Sequence, residues 1–238
     1  MAELIDHLMA TPLLAIALTL SAYFAGERLL RLVGAPAWCP PILVASLLLA
    51  GALWLLGIDV ADYREGAGWL MLLLGPATVA LGLPLYQQMA HIRALWRPLL
   101  VCLPTAAGLA ALYAVGIAWL LGAPAEVLAS LAPKSVTAPI AIGITEQLGG
   151  SISLMMGGLL LTGVAAIGFV GPLSRRLDIR DERLIGLALG INGHALGTVR
   201  AFEIGPTAGA FASLGMSLTG ILTALLLPLA WHLPGLAG

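Results

Sequence analysis

The feature that most constrains this chain is a succession of long apolar segments that runs from one end of the sequence to the other. They are separated by charged residues or by proline and glycine, and lie at residues 8–25, 40–57, 68–89, 98–121, 126–148, 151–173, 184–203 and 207–231. A hydrocarbon core about 30 Å thick takes about 20 apolar residues per helical span. Only 10% of the 238 residues are charged, against roughly 25% in a soluble domain. The sequence therefore predicts one all-α, polytopic membrane domain over residues 1–238.

The arginines predict how the chain is oriented. They cluster after the first, third and sixth segments, as Arg28 and Arg31, as Arg93 and Arg97, and as Arg175, Arg176, Arg180 and Arg183. Cytoplasmic loops carry an excess of Lys and Arg, so these loops are predicted to be cytoplasmic. The N-terminus, the acidic loop 59–65 and the loop 122–126 are predicted to lie outside. The first segment follows acidic rather than basic residues, so it is interpreted as a span and not as a cleaved leader.

This orientation cannot be met if every segment crosses the membrane. Two full spans between Gly122, outside, and Arg175, inside, would place Arg175 on the wrong side. Segment 126–148 has prolines and polar residues in its middle, where a lipid-facing helix would leave backbone groups unsatisfied. It is predicted to be a re-entrant hairpin entering from outside, and the glycine-rich segment 184–203 a second one entering from the cytoplasm. About six spans plus two hairpins follow, and the mirrored hairpins suggest an inverted repeat. Eight full spans, with the four-arginine loop outside, is the alternative.

Lys134 is the residue that points most directly to function. It is the only lysine in the chain and follows Pro133 inside an apolar segment. A lysine at the membrane centre costs about 2.5–3.5 kcal/mol on translocon scales, so its ammonium should face a partner or a wet cavity. Ser135 and Thr137 add hydroxyls, and a helix restarting after Pro133 would aim free N–H groups at the same point. This combination predicts a site for a small carboxylate. The alternatives are that Lys134 reaches the membrane interface or pairs with Glu146, which is also a candidate for ion coupling.

The second hairpin carries a run of polar residues among glycines, namely Asn192, His194, Thr198, Arg200 and Glu203. Histidine titrates near neutral pH, so His194 is a candidate acceptor of a coupling proton, and Glu203 is another coupling candidate. Arginine can clamp a carboxylate with two parallel hydrogen bonds. Arg200, Asn192, Thr198 and His194 are therefore predicted to complete the substrate site. The alternative is an ordinary interfacial pair of Arg200 with Glu203 and a His194 that only packs between helices.

A third interruption, at Gly75 and Pro76, is most simply a kinked helix because prolines are common in membrane helices. Thr78, which follows it, is added to the predicted substrate-binding residues.

Motifs of other protein classes are missing from the sequence. It has no glycine-rich phosphate loop, no Cys-x-x-Cys and no Gly-x-Ser-x-Gly. The four histidines are scattered, and the net charge of −1 argues against nucleic acid. We therefore expect no enzymatic activity, metal or cofactor. A Ser–Lys dyad of Ser135 with Lys134 is the enzymatic alternative.

At these residues the sequence resembles the LrgB family of bacterial membrane proteins, whose plant relatives include the plastid glycolate/glycerate transporter. The resemblance covers nearly the whole chain. It rests on Pro133-Lys134-Ser135-Val136-Thr137-Ala138-Pro139-Ile140-Ala141, on His194-Ala195-Leu196-Gly197-Thr198 followed by Arg200 and Glu203, and on Pro84-Leu85-Tyr86. The chain departs from the family pattern at Ala138, where a second threonine is usual, and at Gly193, where a small hydroxyl residue often precedes the histidine. These departures put the substrate preference in doubt.

The resemblance implies two functions. One is a holin/antiholin-like regulator of murein hydrolase activity and autolysis. The other is a secondary transporter of small monocarboxylates, such as glycolate, glycerate or pyruvate, acting with an LrgA-like membrane subunit. The transporter is favoured because a lesion-forming protein has little use for a lone lysine beside paired helix breaks. We expect a multi-pass protein of the bacterial inner membrane, in contact with lipid, with hairpin tips meeting near mid-membrane; a homo-oligomer is left open.

Overall fold

The computed structural model describes residues 12–34, 39–73, 76, 79–80, 82–87 and 89–231. Its regular elements are helices, and the described residues contain no strand, which confirms the all-α class. The helices are α1 (Pro12–Leu32), α2 (Pro41–Leu56), α3 (Val60–Leu72), α4 (Gly82–Gln87), α5 (Met89–Ala94), α6 (Trp96–Leu120), α7 (Ala125–Leu131), α8 (Ala138–Leu148), α9 (Ile152–Arg176), α10 (Glu182–Ile204) and α11 (Pro206–Trp231).

Four of the described helices, α1, α6, α9 and α11, are long and apolar enough to cross a membrane, so the chain is a multi-pass membrane protein. The 16 residues of α2 extend about 24 Å at 1.5 Å per residue, less than a typical hydrocarbon core. Segment 68–89 is divided: α3 ends at Leu72, before the interruption predicted at Gly75 and Pro76, and α4 begins at Gly82.

Two charged regions predicted as loops are helical. The acidic loop 59–65 is mostly the start of α3, where the Asp59 carboxylate accepts a 2.7 Å hydrogen bond from the Ala61 N–H. Arg28 and Arg31 lie in the last turns of α1, and Arg31 pairs with Glu27 one turn before it. Hydropathy indicates which residues are stable in the apolar part of a membrane and not where a helix ends. Glutamate and arginine form helices about as readily as leucine, so a helix can continue past the apolar segment.

The chain divides into two compact units, Met1–Ala80 and Leu81–Gly238. In the first unit, a Cβ built on Gly26 of α1 would lie 2.8 Å from the Ala45 nitrogen of α2, so the two helices touch at backbone level. The hydroxyls of Thr19 and Tyr63 are 2.7 Å apart and join α1 to α3.

In the second unit, α7 and α8 form a re-entrant hairpin, called hairpin 1. The Ser151 N–H, just after α8, donates a 2.7 Å hydrogen bond to the Ser130 hydroxyl of α7. These residues would be about 30 Å apart along one continuous helix, so the chain reverses between them. The reversal is the non-helical stretch 132–137, which contains Pro133 and precedes Pro139 at the start of α8. The predicted hairpin at 126–148 is confirmed.

Helix α10 is also a hairpin, called hairpin 2. Its chain reverses at His194, where φ is 41° and ψ is −128°. A Cβ on Gly197 would meet the carbonyl of Leu189, and one on Gly205 would lie 2.9 Å from a Glu182 carboxylate oxygen. The two ends of the element therefore lie side by side, which confirms the second predicted hairpin.

The two hairpins enter the unit from opposite ends. Apolar clusters join the start of α6 (Leu99, Leu103) to hairpin 2 (Leu187, Ile191), and the end of α6 (Val115, Ala118) to hairpin 1 (Leu128, Ala129). Helix α11 begins beside hairpin 2 and ends with Leu227 and Trp231 in the hairpin 1 cluster. Three spans of alternating direction, α6, α9 and α11, thus connect the two ends. A hairpin 1 that does not cross is what the predicted orientation of the arginines requires, and that orientation stays a prediction.

Hairpin 1 with α9 and hairpin 2 with α11 form an inverted repeat, each part about 50 residues long. In the first part, contact pairs residues 130 and 151. In the second, Gly186 touches Ala208 and Gly190 touches Ala212. In both parts the first arm of the hairpin packs on the span that follows.

Candidate functional site

The tips of the two hairpins meet on α9. A Cβ on Gly158 would lie 3.0 Å from the Leu131 side chain and 3.8 Å from the Lys134 Cβ, at the tip of hairpin 1. The next residue, Leu159, accepts a 3.0 Å hydrogen bond from the His194 ring at the tip of hairpin 2. Leu159 lies about 10 Å from the start of α9, at 1.5 Å per residue. Adjacent residues of one span therefore hold the two tips together.

The Lys134 ammonium has only neutral partners among the described residues. Its Nζ donates a 2.7 Å hydrogen bond to the Tyr113 hydroxyl and a 3.1 Å bond to the Ser135 hydroxyl. It also lies 4.3 Å from the centroid of the Tyr113 ring. The ion pairs found in the described part of the chain involve arginines, and Lys134 has no carboxylate within 4.0 Å there.

These partners stabilise the charge without neutralising it. A hydrogen bond from a charged group contributes about 1.5–3 kcal/mol and a cation–π contact about 0.5–2 kcal/mol. Neither cancels the positive charge, which makes the position attractive for an anion.

The chain around Lys134 offers further hydrogen-bond donors. Ser135 is 7% exposed. Thr137 is half-buried, precedes the first turn of α8 and does not use its side chain to cap that helix. The first turn of α8 directs its N–H groups and the positive end of its dipole toward the same tip. Hydroxyls, N–H groups and an ammonium thus occur within a few residues of one another at the tip, and these are the group types that bind anions.

His194 is 1% exposed and forms the reversal of hairpin 2. Because a carbonyl only accepts, the bond from Nε2 to Leu159 places the proton on Nε2 and leaves Nδ1 as an acceptor. A Cβ on Gly163 would lie 3.0 Å from the ring, so the absence of a side chain at Gly163 lets the imidazole pack against α9. The buried ring therefore anchors the tip to α9, and its Nδ1 has no hydrogen-bond partner among the described residues.

The backbone of His194 has a φ of 41°, which side chains other than glycine rarely adopt. Such strain costs about 1–3 kcal/mol and persists where a site needs the side chain. His194→Gly is therefore expected to unfold at a higher temperature than His194→Ala, by the equivalent of about 1 kcal/mol, although both lose the imidazole. Thermal unfolding of the two purified variants measures this difference. If the alanine variant is the more stable one, the backbone at this position is not strained.

Thr198 and Asn192 lie on either side of the reversal. The Thr198 hydroxyl donates to the His194 carbonyl at 2.8 Å and lies 3.6 Å from the Met216 sulfur of α11. The Asn192 amide donates to the Ala188 carbonyl at 3.0 Å. Thr198 therefore supports the tip from behind, whereas the Asn192 side-chain oxygen accepts no hydrogen bond from the described residues.

Arg200 and Glu203 lie beyond the tip on the second arm and pair with each other, with 37% and 56% of their side chains exposed. This is the ion pair weighed as an alternative in the sequence, and their roles in binding and coupling stay predictions. Glu146 is exposed near the end of α8 and does not pair with Lys134. Thr78 falls outside the described residues.

The base of hairpin 2 is fixed by Asp181, which precedes it. Its carboxylate accepts from the Arg183 N–H and from the Arg183 guanidinium. The guanidinium hydrogen bonds hold the pKa of the Asp181 carboxyl below its usual range. The stabilisation is therefore present above the ordinary pKa of aspartate and is lost as the pH falls through the lowered value. At neutral pH this carboxylate stays ionised at the start of the hairpin.

Tyr113 is a partner of Lys134 that sequence reasoning missed. It lies on α6, 21 residues before Lys134, which is in the non-helical tip of hairpin 1. A hydroxyl-bearing aromatic inside a predicted span was the only available signal, and that signal does not identify its neighbour.

Comparisons with known proteins agree on one family. The sequence profile described as LrgB-like family matches residues 19–233. An uncharacterized protein of Haemophilus influenzae is 36% identical over 80% of this chain and 83% of its own length. The uncharacterized protein YxaC of Bacillus subtilis is 34% identical over 91% of this chain and 94% of its own. The holin-like protein CidB of Staphylococcus epidermidis is 27% identical over 90% of this chain and 93% of its own. No solved structure matches.

Proposed function

Since this chain belongs to the LrgB-like family, we propose that it is a secondary carrier of small monocarboxylates, with its substrate site where the two hairpin tips meet. The single observation that carries the proposal is the Lys134 ammonium, which is held by two hydroxyls and has no acidic partner among the described residues. One carboxylate would supply the missing charge. The resemblance to the LrgB family implies glycolate, glycerate and pyruvate as substrates, and each carries a single carboxylate that one ammonium can neutralise.

In the proposed site, Lys134 neutralises the carboxylate while Ser135 and Thr137 donate hydrogen bonds to it. The free Nδ1 of His194 is the proposed acceptor of a coupling proton or of a substrate hydroxyl. Binding and release require no covalent step, so the proposed activity is transport and not enzymatic catalysis.

Alternating access is proposed to follow from the inverted repeat. Carriers built from inverted repeats expose a central site to each side in turn by moving one repeat against the other. Here each hairpin covers the site from one end, and both rest on Gly158 and Leu159 of α9. Withdrawal of one hairpin tip from α9 would open the site to the side from which that hairpin enters. An LrgA-like membrane subunit is the proposed partner of this movement.

The test is uptake of radiolabelled glycolate and pyruvate into proteoliposomes under an imposed pH gradient, with and without an LrgA-like subunit. Vesicles also loaded with a large fluorescent dye distinguish a carrier from a lesion. A carrier gives saturable uptake and retains the dye.

A holin-like function is the second candidate, and the name of the relative CidB favours it. A holin-like function predicts that the dye escapes from the vesicles and that the flux of carboxylate does not saturate as its concentration rises. If the chain takes up no carboxylate either alone or with an LrgA-like subunit, and the dye escapes from the vesicles, the carrier proposal is wrong and the holin-like function replaces it.

A further inference from the structure

The hydroxyl of Tyr113 can donate a hydrogen bond in addition to the one that it accepts from Lys134. An ammonium has only protons to give, so in the 2.7 Å bond between Nζ and the Tyr113 oxygen the phenol is the acceptor. The phenol keeps its own proton. In the described part of the chain this O–H meets no acceptor, and the ring is 46% exposed.

Ser135 is in the same situation. Its hydroxyl accepts from Nζ at 3.1 Å, and its own proton likewise has no acceptor among the residues that the structure describes. Nζ uses two of its three protons in these bonds, and the third remains available. Three donors therefore lie close together, because the Tyr113 and Ser135 hydroxyls are 2.7 Å and 3.1 Å from the nitrogen that carries the third ammonium proton.

Such a set of donors suits an anion with several acceptor positions, and the carboxylate proposed above is one. A carboxylate has two oxygens with about four acceptor positions and no proton to give. Hydroxyls that already accept from an ammonium are polarised and donate more strongly. A cation or a neutral donor would leave all three protons unsatisfied.

We infer that Tyr113 binds the substrate directly. Its phenolic O–H donates a hydrogen bond to the carboxylate that Lys134 neutralises. This inference rests on the carrier function proposed above and adds to it a residue from α6, outside both hairpins. The site then joins hairpin 1 to the span that packs on it, so a bound carboxylate bridges the tip and α6.

Kinetics of Tyr113→Phe test this role. The variant keeps the ring beside Lys134 and removes only the hydroxyl. We expect the KM for glycolate uptake to rise about 10-fold or more, as for the loss of a hydrogen bond to a charged group, with kcat changing much less. The matched control is Tyr63→Phe, which removes a hydroxyl bonded at the same 2.7 Å distance, to Thr19 in the first unit, and should leave KM unchanged.

A second variant separates binding of substrate from support of Lys134. Fluorination of the Tyr113 ring makes its hydroxyl a stronger donor and a weaker acceptor. If the phenol donates to the carboxylate, 3-fluorotyrosine at this position lowers KM, at a pH that keeps the phenol protonated. If the phenol only accepts from Lys134, the same change raises KM.

The outcomes distinguish this inference from the function on which it rests. The carrier proposal stands if the wild type shows saturable uptake and Lys134→Met abolishes it. If Tyr113→Phe then has an unchanged KM, the role of Tyr113 is overturned. A higher KM with fluorotyrosine, or an equal rise in Tyr63→Phe, would overturn it as well. No uptake by the wild type would remove both.

Discussion

Replacing Lys134 by methionine is expected to lower glycolate uptake about 100-fold or more while leaving the protein about as stable as the wild type, because the membrane cost that methionine avoids offsets the hydrogen bonds that it loses. Removing one partner of a desolvated charge pair typically costs about 2–5 kcal/mol of binding. Methionine has nearly the same length without the charge, and it avoids the roughly 2.5–3.5 kcal/mol that a central lysine costs in a membrane. Initial uptake rates in proteoliposomes, measured beside thermal unfolding in detergent, give the two quantities.

The contrast between a large loss of uptake and an unchanged stability identifies the role of Lys134. A lysine retained for structure would lower stability when lost, whereas one retained for binding lowers only uptake. Arg180→Gln is the matched control, because it also removes one positive charge but from a side chain that is 87% exposed and paired with Asp178. It should transport like the wild type. Unchanged uptake by correctly inserted Lys134→Met would contradict the assignment of the site.

Gly190→Ala is expected to destabilise the protein by about 3 kcal/mol, the upper end of the range for overpacking. A Cβ on Gly190 would collide with the carbonyl, the carbonyl carbon and the Cα of Ala212 in α11. All three are backbone atoms, so no side chain can move aside. The apparent Tm should fall by about 6–12 °C for a chain of this size. Gly186→Ala, which meets the Ala208 carbonyl in the same way, should behave alike.

The control for this prediction is Gly116→Ala in α6, where a Cβ meets nothing within 4 Å. Alanine is a better helix former than glycine by about 1 kcal/mol, so this variant should be unchanged or slightly more stable. Thermal shift assays on all three variants in one detergent make the comparison. A Gly190→Ala protein that melts together with Gly116→Ala would show that hairpin 2 does not rest against the backbone of α11.

Both hairpins could be predicted from the sequence because their signals are local. Pro133 and Pro139 interrupt the first, and the glycines around His194 interrupt the second. The distribution of arginines then required one segment not to cross. Backbone restrictions and charge distribution act within a few residues, so one chain reveals them.

Contacts between distant elements could not be predicted in this way. Tyr113 and Lys134 meet because α6 ends beside hairpin 1, and nothing in the residues near either one encodes that neighbour. The meeting of both tips at Gly158 and Leu159 is likewise a property of three packed elements. The helix boundaries at Arg31 and Asp59 were misplaced for another reason, because apolar runs mark depth in a membrane and not the ends of helices.

The isolation of Lys134 has a consequence for covalent chemistry. It is the only lysine in 238 residues, so an amine-reactive reagent can modify one side chain in the whole chain. A bound carboxylate would cover this amine and slow its modification. The modified peptide, quantified by mass spectrometry, would thus report occupancy of the site directly, in detergent and without vesicles or radioactive substrate.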